Sequence, residues 1–598
     1  MDKKNTVIGI ALLLAAFGAF FYAQKVSPPP APASQSETLR EPPPAAPVES
    51  APTATQPSTG PAAPAISNGA LATDTAAIAG LATDNDLQSV VSLGNDHVEV
   101  QFTDFGGAIR EVGFLQYAAF KDNPAPYVFN QLRYAPALSF VNAPGIDHAE
   151  RWELVEKSQR HVVYRAVADG RLEITRRYSL PGPGEEGDPY RIRAEMTLRN
   201  LGDAPIGAQR IALNLGTAEP VNANDTGYYL NIGHYDGEDD EFIGRGQLEG
   251  GGFLAWIGVR ENPPRPFIDH SGTFQWASVK NQFFTSILTP DTPAVAVRAR
   301  RVELPPFPDT TKPAVGITGD AMFDLPRIEA GASVELNAWF YVGPKEYDRL
   351  VNFEHREDLV MEFGFFGFFA KLLLTMLNWF HGMIPNYGIA IIITTLVLKT
   401  VFLPLTLSAA KSSKRMAKIQ GPLKEIREKH KDNPQKMQKE TLELFKQHKV
   451  NPLGGCLPIL VTIPFFFGFF TMLQSSSEIR FAEFLWVTDL SAPDTVARIF
   501  GFPVNIMPLL MGASMVYQMR LTPTPTMDNA QAKMLKFMPY MMLVFCYTFS
   551  SALSLYWTVS NIYTIGQQLI INRMKDDLVI AAPVAVKTSP GGKKKKKR

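Results

Sequence analysis

The second half of the chain is dominated by apolar runs long enough to cross a lipid bilayer, and nothing else in the sequence constrains the fold as strongly. A hydrocarbon core about 30 Å thick is spanned by about 20 apolar residues of helix. Runs of this kind lie at 387–407, 457–475, 498–518, 535–550 and 552–572. Inside a bilayer no water satisfies the backbone, so each run is predicted to be helical and packed against its neighbours. A further run, MDKKNTVIGIALLLAAFGAFFYAQK, opens the chain. Phe20, Phe21 and Tyr22 make a poor small-residue cleavage site, so residues 1–27 read as a retained anchor and not as a signal peptide. No cysteine follows that run, which excludes a lipoprotein.

Charge orients these spans. The chain carries 58 Lys+Arg against 58 Asp+Glu, but the two signs are sorted along it. Lys411, Lys414, Arg415, Lys418, Lys424 and Arg427 crowd the segment 408–450, and the chain ends in KKKKKR. Basic loops stay in the cytoplasm. Counting outward from 408–450, both termini and the loop 519–534 are cytoplasmic, and the region after the first span lies outside. Within 408–450, Met416, Ile419, Leu423 and Ile426 recur at helical spacing, as do Met437, Leu442 and Phe445. A break at Asp432-Asn433-Pro434 predicts two antiparallel helices.

Between the anchor and the later spans the composition changes twice. Residues 28–84 are rich in Pro, Ala, Ser and Thr and read as a disordered tether. From 85 to 347 the pattern has period two. YRIRAEMTL places Tyr190, Ile192, Ala194, Met196 and Leu198 on one face, and HVEVQF and LEITRRYSL behave alike. Half-buried strands of this kind predict an all-β sandwich. Residues 348–382 are apolar with a polar stripe at Glu357, Gly364, Lys371 and Asn378, which predicts an amphipathic helix in the membrane interface.

Enzymatic chemistry finds little support. The chain has no Walker A loop, HExxH, GxSxG or CxxC. The acids of HYDGEDDEF lack the spacing of an EF-hand and read as a solvated hairpin loop. The polar groups inside the spans say more. Thr395, Lys399 and Thr406 share one helical face, and Ser550, Ser554, Trp557 and Asn561 share another. The serines and threonines serve equally well as glue between helices. Lys399 is different, because no Asp or Glu occurs in the later spans to pair with it. Such a charge must meet water, and a wet groove open to the cytoplasm would supply it.

Four motifs in order carry a family resemblance. NYGIAIIITTLVLKTVFLPLT (386–406), VNPLGGCLPILVTIPFFFGFF (450–470), LTPTPTMDNAQAKMLKFMP (521–539) and ALSLYWTVSNIYTIGQQLI (552–570) resemble the YidC/Oxa1/Alb3 membrane protein insertases. The anchor, tether and β-domain, with FTDFGGAIREVGF (102–114), resemble the larger Gram-negative form. The resemblance implies a polytopic α-helical membrane protein, with a five-helix core at 383–575, an anchor helix and a periplasmic β-supersandwich. It implies insertion of newly made inner-membrane proteins, alone or beside the Sec translocon, with no cofactor, metal or small-molecule substrate.

Site residues follow from the same resemblance. Lys399 matches the groove charge, where many members carry arginine, and an arginine keeps its proton more firmly than a buried lysine. Thr395, Thr406, Ser554, Tyr556, Trp557 and Asn561 would line the groove. Phe466, Phe469, Phe470 and Met472 would form an apolar slide, and Asn451, Pro452, Gly454 and Gly455 a signature turn. Asp528-Asn529 replaces a family Asp-Pro. The cytoplasmic hairpin and the basic tail 576–598 suit a ribosome, the signal recognition particle receptor or anionic lipid. Two other functions fit some features: a secondary transporter, against which no inverted repeat is seen, and a sugar-processing enzyme in the β-domain, for which no carboxylate pair is evident.

Overall fold

The computed structural model describes residues 78–79, 89–121, 123–143, 146–182, 184, 187–223, 225–250, 263–307, 311, 313–431, 433–448, 457–521 and 529–573. The expected anchor, the signature turn at Asn451–Gly455 and the basic tail lie outside these residues. Lys411, Lys414 and Lys418 are described as helical backbone alone. The chain divides into a β-rich unit that ends at Glu362 and a helical unit that begins at Phe363.

The β-rich unit runs β1 (Ile78–Ala79), β2 (Val90–Gly94), β3 (Val98–Thr103), β4 (Ala108–Phe120), β5 (Asn123–Phe129), β6 (Glu153–Lys157), β7 (His161–Ala168), β8 (Leu172–Ser179), β9 (Arg191–Asn200) and β10 (Gln209–Ala218). It continues with β11 (Asn231–Tyr235), β12 (Asp240–Gly244), helix α1 (Arg245–Glu249), β13 (Phe267–Phe274), β14 (Trp276–Lys280), β15 (Phe284–Pro290), β16 (Ala294–Leu304), β17 (Ala314–Leu325), β18 (Ser333–Glu335) and β19 (Ala338–Pro344). The largest sheet has the order β12-β11-β14-β15-β19-β9-β8-β7-β6, and a smaller one the order β1-β16-β17-β10 with β13 also on β16. A third sheet holds β2-β3-β4-β5.

Period-two burial builds the core as the sequence predicts. Val98, Val100 and Phe102 point inward on β3, and Ile192, Met196 and Leu198 on β9. β8 buries Leu172, Ile174, Arg176 and Tyr178 on one face. Among the described residues no carboxylate pairs with the buried Arg176. Its Nη1 donates to the Gly106 carbonyl at 2.8 Å, and its guanidinium lies over the rings of Phe140 and Trp152 at 4.2 and 4.6 Å. The smaller sheet faces the large one where Gly319 of β17 meets Ile232 and Val279. A side chain there would enter the packed interior. Close by, Arg300 pairs with the fully buried Asp320, whose other oxygen accepts from Asn214 at 3.1 Å.

Two expectations change at the edges of this unit. Ile78 and Ala79, read as part of the tether, form β1 and pair in parallel with Val302 and Glu303. The interfacial helix expected at 348–382 is shorter. After helix α2 (Tyr347–Leu350), Glu357 sits in a buried 3-10 turn and accepts from Thr289 Oγ1 at 3.1 Å, so it belongs to the β-rich unit. Glu362 and Gly364 have positive φ, 53° and 64°, which a helix does not tolerate. Of the predicted stripe, Lys371 and Asn378 alone lie on an α-helix, α3 (Gly367–Met383).

The helical unit continues with α4 (Tyr387–Val401), α5 (Leu403–Lys418), α6 (Gln420–Lys429), α7 (Pro434–Gln447), α8 (Leu457–Ser475), the strands β20 (Thr495–Ile499) and β21 (Phe502–Asn505), then α9 (Ile506–Leu521), α10 (Asn529–Cys546) and α11 (Ser551–Arg573). Among the described residues no single helix is long and apolar enough to cross a membrane by itself. Tyr387–Val401 and Leu403–Ala410 reach that length together, bent by 58° at Phe402. Pro404 sits at the start of α5, where its missing N–H is harmless. The run expected at 498–518 begins later. Its first residues form the β20–β21 hairpin, closed at Phe500 and Gly501, both with positive φ. Apolar residues in a turn carry the same hydropathy as the start of a span.

The basic hairpin has the predicted break. Asn433 caps α7 by accepting from the Lys436 N–H at 3.1 Å, and Pro434 follows. Ile419, Leu423 and Leu444 form the buried core of the hairpin, flanked by Met416, Ile426 and Phe445. Leu442, predicted to face inward, is 50% exposed.

Candidate functional site: a polar seam in the helical unit

Helix α4 starts with Asn386, whose side chain accepts from the Ile389 N–H at 3.0 Å. Three turns later it presents Lys399. The ammonium is half-buried and donates to Thr564 Oγ1 on α11 at 3.3 Å. Beside it, the hydroxyls of Thr400 and Tyr563 lie 3.3 Å apart. Beyond the bend, Thr406 on α5 accepts from Gln567 Nε2 at 2.9 Å. These three contacts form a continuous polar seam between α4–α5 and α11. An ammonium has three N–H donors. One is held by Thr564, and no carboxylate among the described residues lies within salt-bridge distance of Lys399, which leaves donors for water or an acidic guest. The seam offers a cation and hydroxyls, a set that attracts anions and repels metal ions.

The expected site residues divide into those that join the seam and those that do not. Lys399 and Thr406 join it. Thr395 is buried, and its hydroxyl donates to the Ile391 carbonyl of its own helix at 2.7 Å. Asn561 turns away from Lys399 and donates to Ser514 Oγ on α9 at 2.9 Å. Ser554 is buried, with no hydrogen-bond partner for its hydroxyl among the described residues. Ser550 precedes α11, where its hydroxyl accepts from the Leu553 N–H at 3.4 Å. Tyr556 is 9% exposed and stacks on Phe469, 4.3 Å between ring centres. Trp557 packs on Phe466 at 4.8 Å and against the buried Met511, Met542 and Cys546.

The four residues expected to form an apolar slide also divide by burial. Phe469 and Met472 are fully buried, because helix α8 turns that face into the bundle. Phe466 and Phe470 alone of the four are partly exposed. On its other side α8 lies close to α3: a Cβ at Gly468 would stand 2.9 Å from Phe369 Cβ and 3.0 Å from the Ala370 nitrogen. Phe465 packs edge-on to Phe369 at 4.7 Å. On the hairpin, Lys424 is exposed near Glu428 at 3.8 Å, Arg427 is exposed, and Arg415 is half-buried.

Sequence reasoning missed Tyr563, Thr564 and Gln567. The signal was present, since Ser560, Tyr563, Thr564 and Gln567 recur at i, i+3, i+4 and i+7, one face of a helix. The competing stripe through Asn561 faces α9.

Residues 90–376 match the family described as the YidC periplasmic domain, and residues 379–577 the one described as 60Kd inner membrane protein. A membrane protein insertase YidC of Nitratidesulfovibrio vulgaris is 31% identical over 497 residues, 78% of this chain and 84% of that protein. One of Pelobacter propionicus is 40% identical over 307 residues, 51% of this chain and 55% of that protein's length. A crystal structure described as active YidC insertase with the first transmembrane domain resolved aligns at 16% identity and a TM-score of 0.32, covering 82% of this chain and 94% of that one. The class is that of inner-membrane proteins with a β-rich periplasmic domain and a helical C-terminal region. The chain belongs to the YidC family of membrane protein insertases, which are not enzymes.

Proposed function

We propose that this chain inserts newly made membrane proteins, using the seam around Lys399 as the polar part of the path. A client helix gains by burying its apolar residues in lipid. The obstacle is its short polar outer segment, which must cross hydrocarbon. A charge at the middle of a bilayer costs roughly 2.5–3.5 kcal/mol on insertion scales. A wet seam that reaches partway in shortens the dry path, and the free donors of Lys399 attract carboxylates in the client. The client's own partitioning supplies the energy, so no nucleotide is required. Phe466 and Phe470 offer an apolar surface along which the client helix moves toward lipid.

The membrane placement belongs to the same reading. Helices α4–α5, α8, α9, α10 and α11 are the spans of the core, with 1–27 as anchor. At 1.5 Å per residue α11 is roughly 34 Å long and α8 roughly 28 Å, lengths close to that of a bilayer core of about 30 Å. The hairpin α6–α7 and both termini are cytoplasmic and the β-rich unit is periplasmic, in accord with the basic residues. Nascent membrane proteins are the clients. The Sec translocon, the ribosome, the signal recognition particle receptor and anionic lipid are the partners that the hairpin and tail suit.

The observation that carries this reading is the contact of Lys399 with Thr564 in a helix pair that holds no acid. Depletion of the native insertase and complementation with variants tests it, with a single-span client that bears an acidic outer segment. Lys399→Arg is expected to restore insertion and Lys399→Glu to fail. Normal insertion by a stably produced Lys399→Glu would refute the role of the charge.

A further inference from the structure

We propose that His234, His270 and Glu241 of the β-rich unit form a binding site for a divalent metal ion of the zinc class. The three residues come from two sheets. His234 on β11 and Glu241 on β12 are directly opposed in the antiparallel register, so both side chains leave the same face of the hairpin. His270 comes from β13, which pairs with β16 in the smaller sheet. His234 Nε2 and His270 Nδ1 are 2.7 Å apart, and Glu241 Oε2 is 3.5 Å from His270 Nδ1. All three ligand atoms lie within 4.8 Å of one another. Two ring nitrogens and one carboxylate oxygen thus converge on one point.

The donor set decides which ion fits. Zinc takes imidazole nitrogen at about 2.0–2.1 Å and carboxylate oxygen at similar distance, in tetrahedral geometry, with water able to fill the fourth position. Calcium requires six to eight oxygens and is poorly served here. Around a tetrahedral zinc, two ligand nitrogens stand about 3.3 Å apart. The histidine pair must therefore open by about 0.6 Å from its present hydrogen bond. The hydrogen now shared between the rings moves to the outer nitrogen of its ring, so the imidazoles stay neutral and no proton need leave.

The surroundings permit that adjustment. His234 is buried, with its ring against Phe274 at 4.3 Å, and fixes one side of the site. His270 is partly exposed, and the β13 register shifts just after Ser271, so its strand can give. Glu241 is exposed and gives the ion an entry from solvent. The acidic turn beside the site contributes charge and not ligands. Asp236 already accepts from the N–H groups of Glu238 and Asp239, both at 2.8 Å, and so closes its own turn. The loop that the sequence marks as a solvated acidic hairpin thus leads to a nitrogen-containing site one residue from its end.

The test uses the untagged full-length protein in detergent, stripped with chelator. Zinc titration is expected to show one equivalent lost on His270→Ala. Cobalt is expected to give the intense visible bands of a tetrahedral ion in wild type and to lose them in that variant. Glu241→Gln is expected to weaken zinc binding at least about tenfold, the scale seen when even an outer partner of a ligand is removed. Glu241 is exposed, so this variant keeps the fold, and unchanged thermal unfolding without metal checks both variants. Calcium in excess is expected to leave the zinc in place. The proposal is overturned if His270→Ala binds zinc with wild-type stoichiometry and affinity, if wild type shows no saturable binding at micromolar zinc, or if calcium displaces it.

Discussion

Gly468 and Gly566 allow one chemical change to be made in two opposite environments. Both lie inside helices, on α8 and α11. Replacing either with alanine brings the same gain in helix propensity, up to about 1 kcal/mol. At Gly566 the added methyl meets nothing within 4 Å. At Gly468 it stands 2.9 Å from Phe369 Cβ and 3.0 Å from a backbone nitrogen, contacts that helix α3 must move to relieve. Overpacking of this kind costs about 1–3 kcal/mol. Gly566→Ala is therefore expected to stabilise by up to about 1 kcal/mol, and Gly468→Ala to be neutral or to destabilise by up to about 2 kcal/mol. For a unit of this size, 1 kcal/mol moves the unfolding temperature by about 2–4 °C. Thermal unfolding of the two variants in detergent, followed by circular dichroism, should separate them by several degrees with Gly468→Ala the lower. Because Phe369 carries the ring that packs on Phe465, insertion activity should fall with it and be unchanged in Gly566→Ala. Equal shifts in the same direction would show that α3 does not rest on α8 as described, and the reasoning would fail.

Further predictions concern the rest of the chain. Burial pushes the Glu219 carboxyl up to about 8, so the folded state keeps a proton that the unfolded chain releases near its ordinary value of 4.5. Stability is then expected to fall as pH rises through that window, and Glu219→Gln to flatten the dependence in urea unfolding of the full chain. Leu444→Ala should cost the hairpin about 2 kcal/mol, the low end for a core leucine in so small a cluster. Leu442→Ala should change stability by no more than about 0.5 kcal/mol, and amide exchange on α6–α7 would distinguish the two. Arg300→Leu should destabilise the β-rich unit by about 3–5 kcal/mol by stranding the Asp320 charge. Adding Asp320→Asn should recover most of the loss in the same unfolding assay.

The periodic parts of the molecule were legible in the sequence, because burial on one face writes itself as period two or period three to four. The strands at Val98–Phe102 and Leu172–Tyr178 and the hairpin helices show this. Arg176 did not reveal its burial, since the carbonyl of Gly106 and the rings of Phe140 and Trp152 come from distant segments. In the helical unit Lys399 stood out by its cost, yet its partner did not. Helix α11 has polar groups on two faces, toward α9 at Asn561 and toward α4 at Thr564, and period alone cannot assign a face to a neighbour. The same limit hid the burial of Phe469 and Met472. Turns inside apolar segments were the other loss. Gly364 and Phe500-Gly501 end regular structure through backbone dihedrals that hydropathy does not register.

The bend at Phe402 makes α5 a lever. Thr406, one turn past the bend, is tied to Gln567, while the far end of α5 leads into the basic hairpin α6–α7. Sixteen residues span roughly 24 Å, so a 10° change at the fulcrum displaces the far end by about 4 Å. Across the fulcrum, Lys399 is tied to Thr564, one turn from Gln567 on the same helix. A load on the hairpin would therefore bear first on the Thr406–Gln567 contact, with the Lys399–Thr564 contact on the other side of the bend.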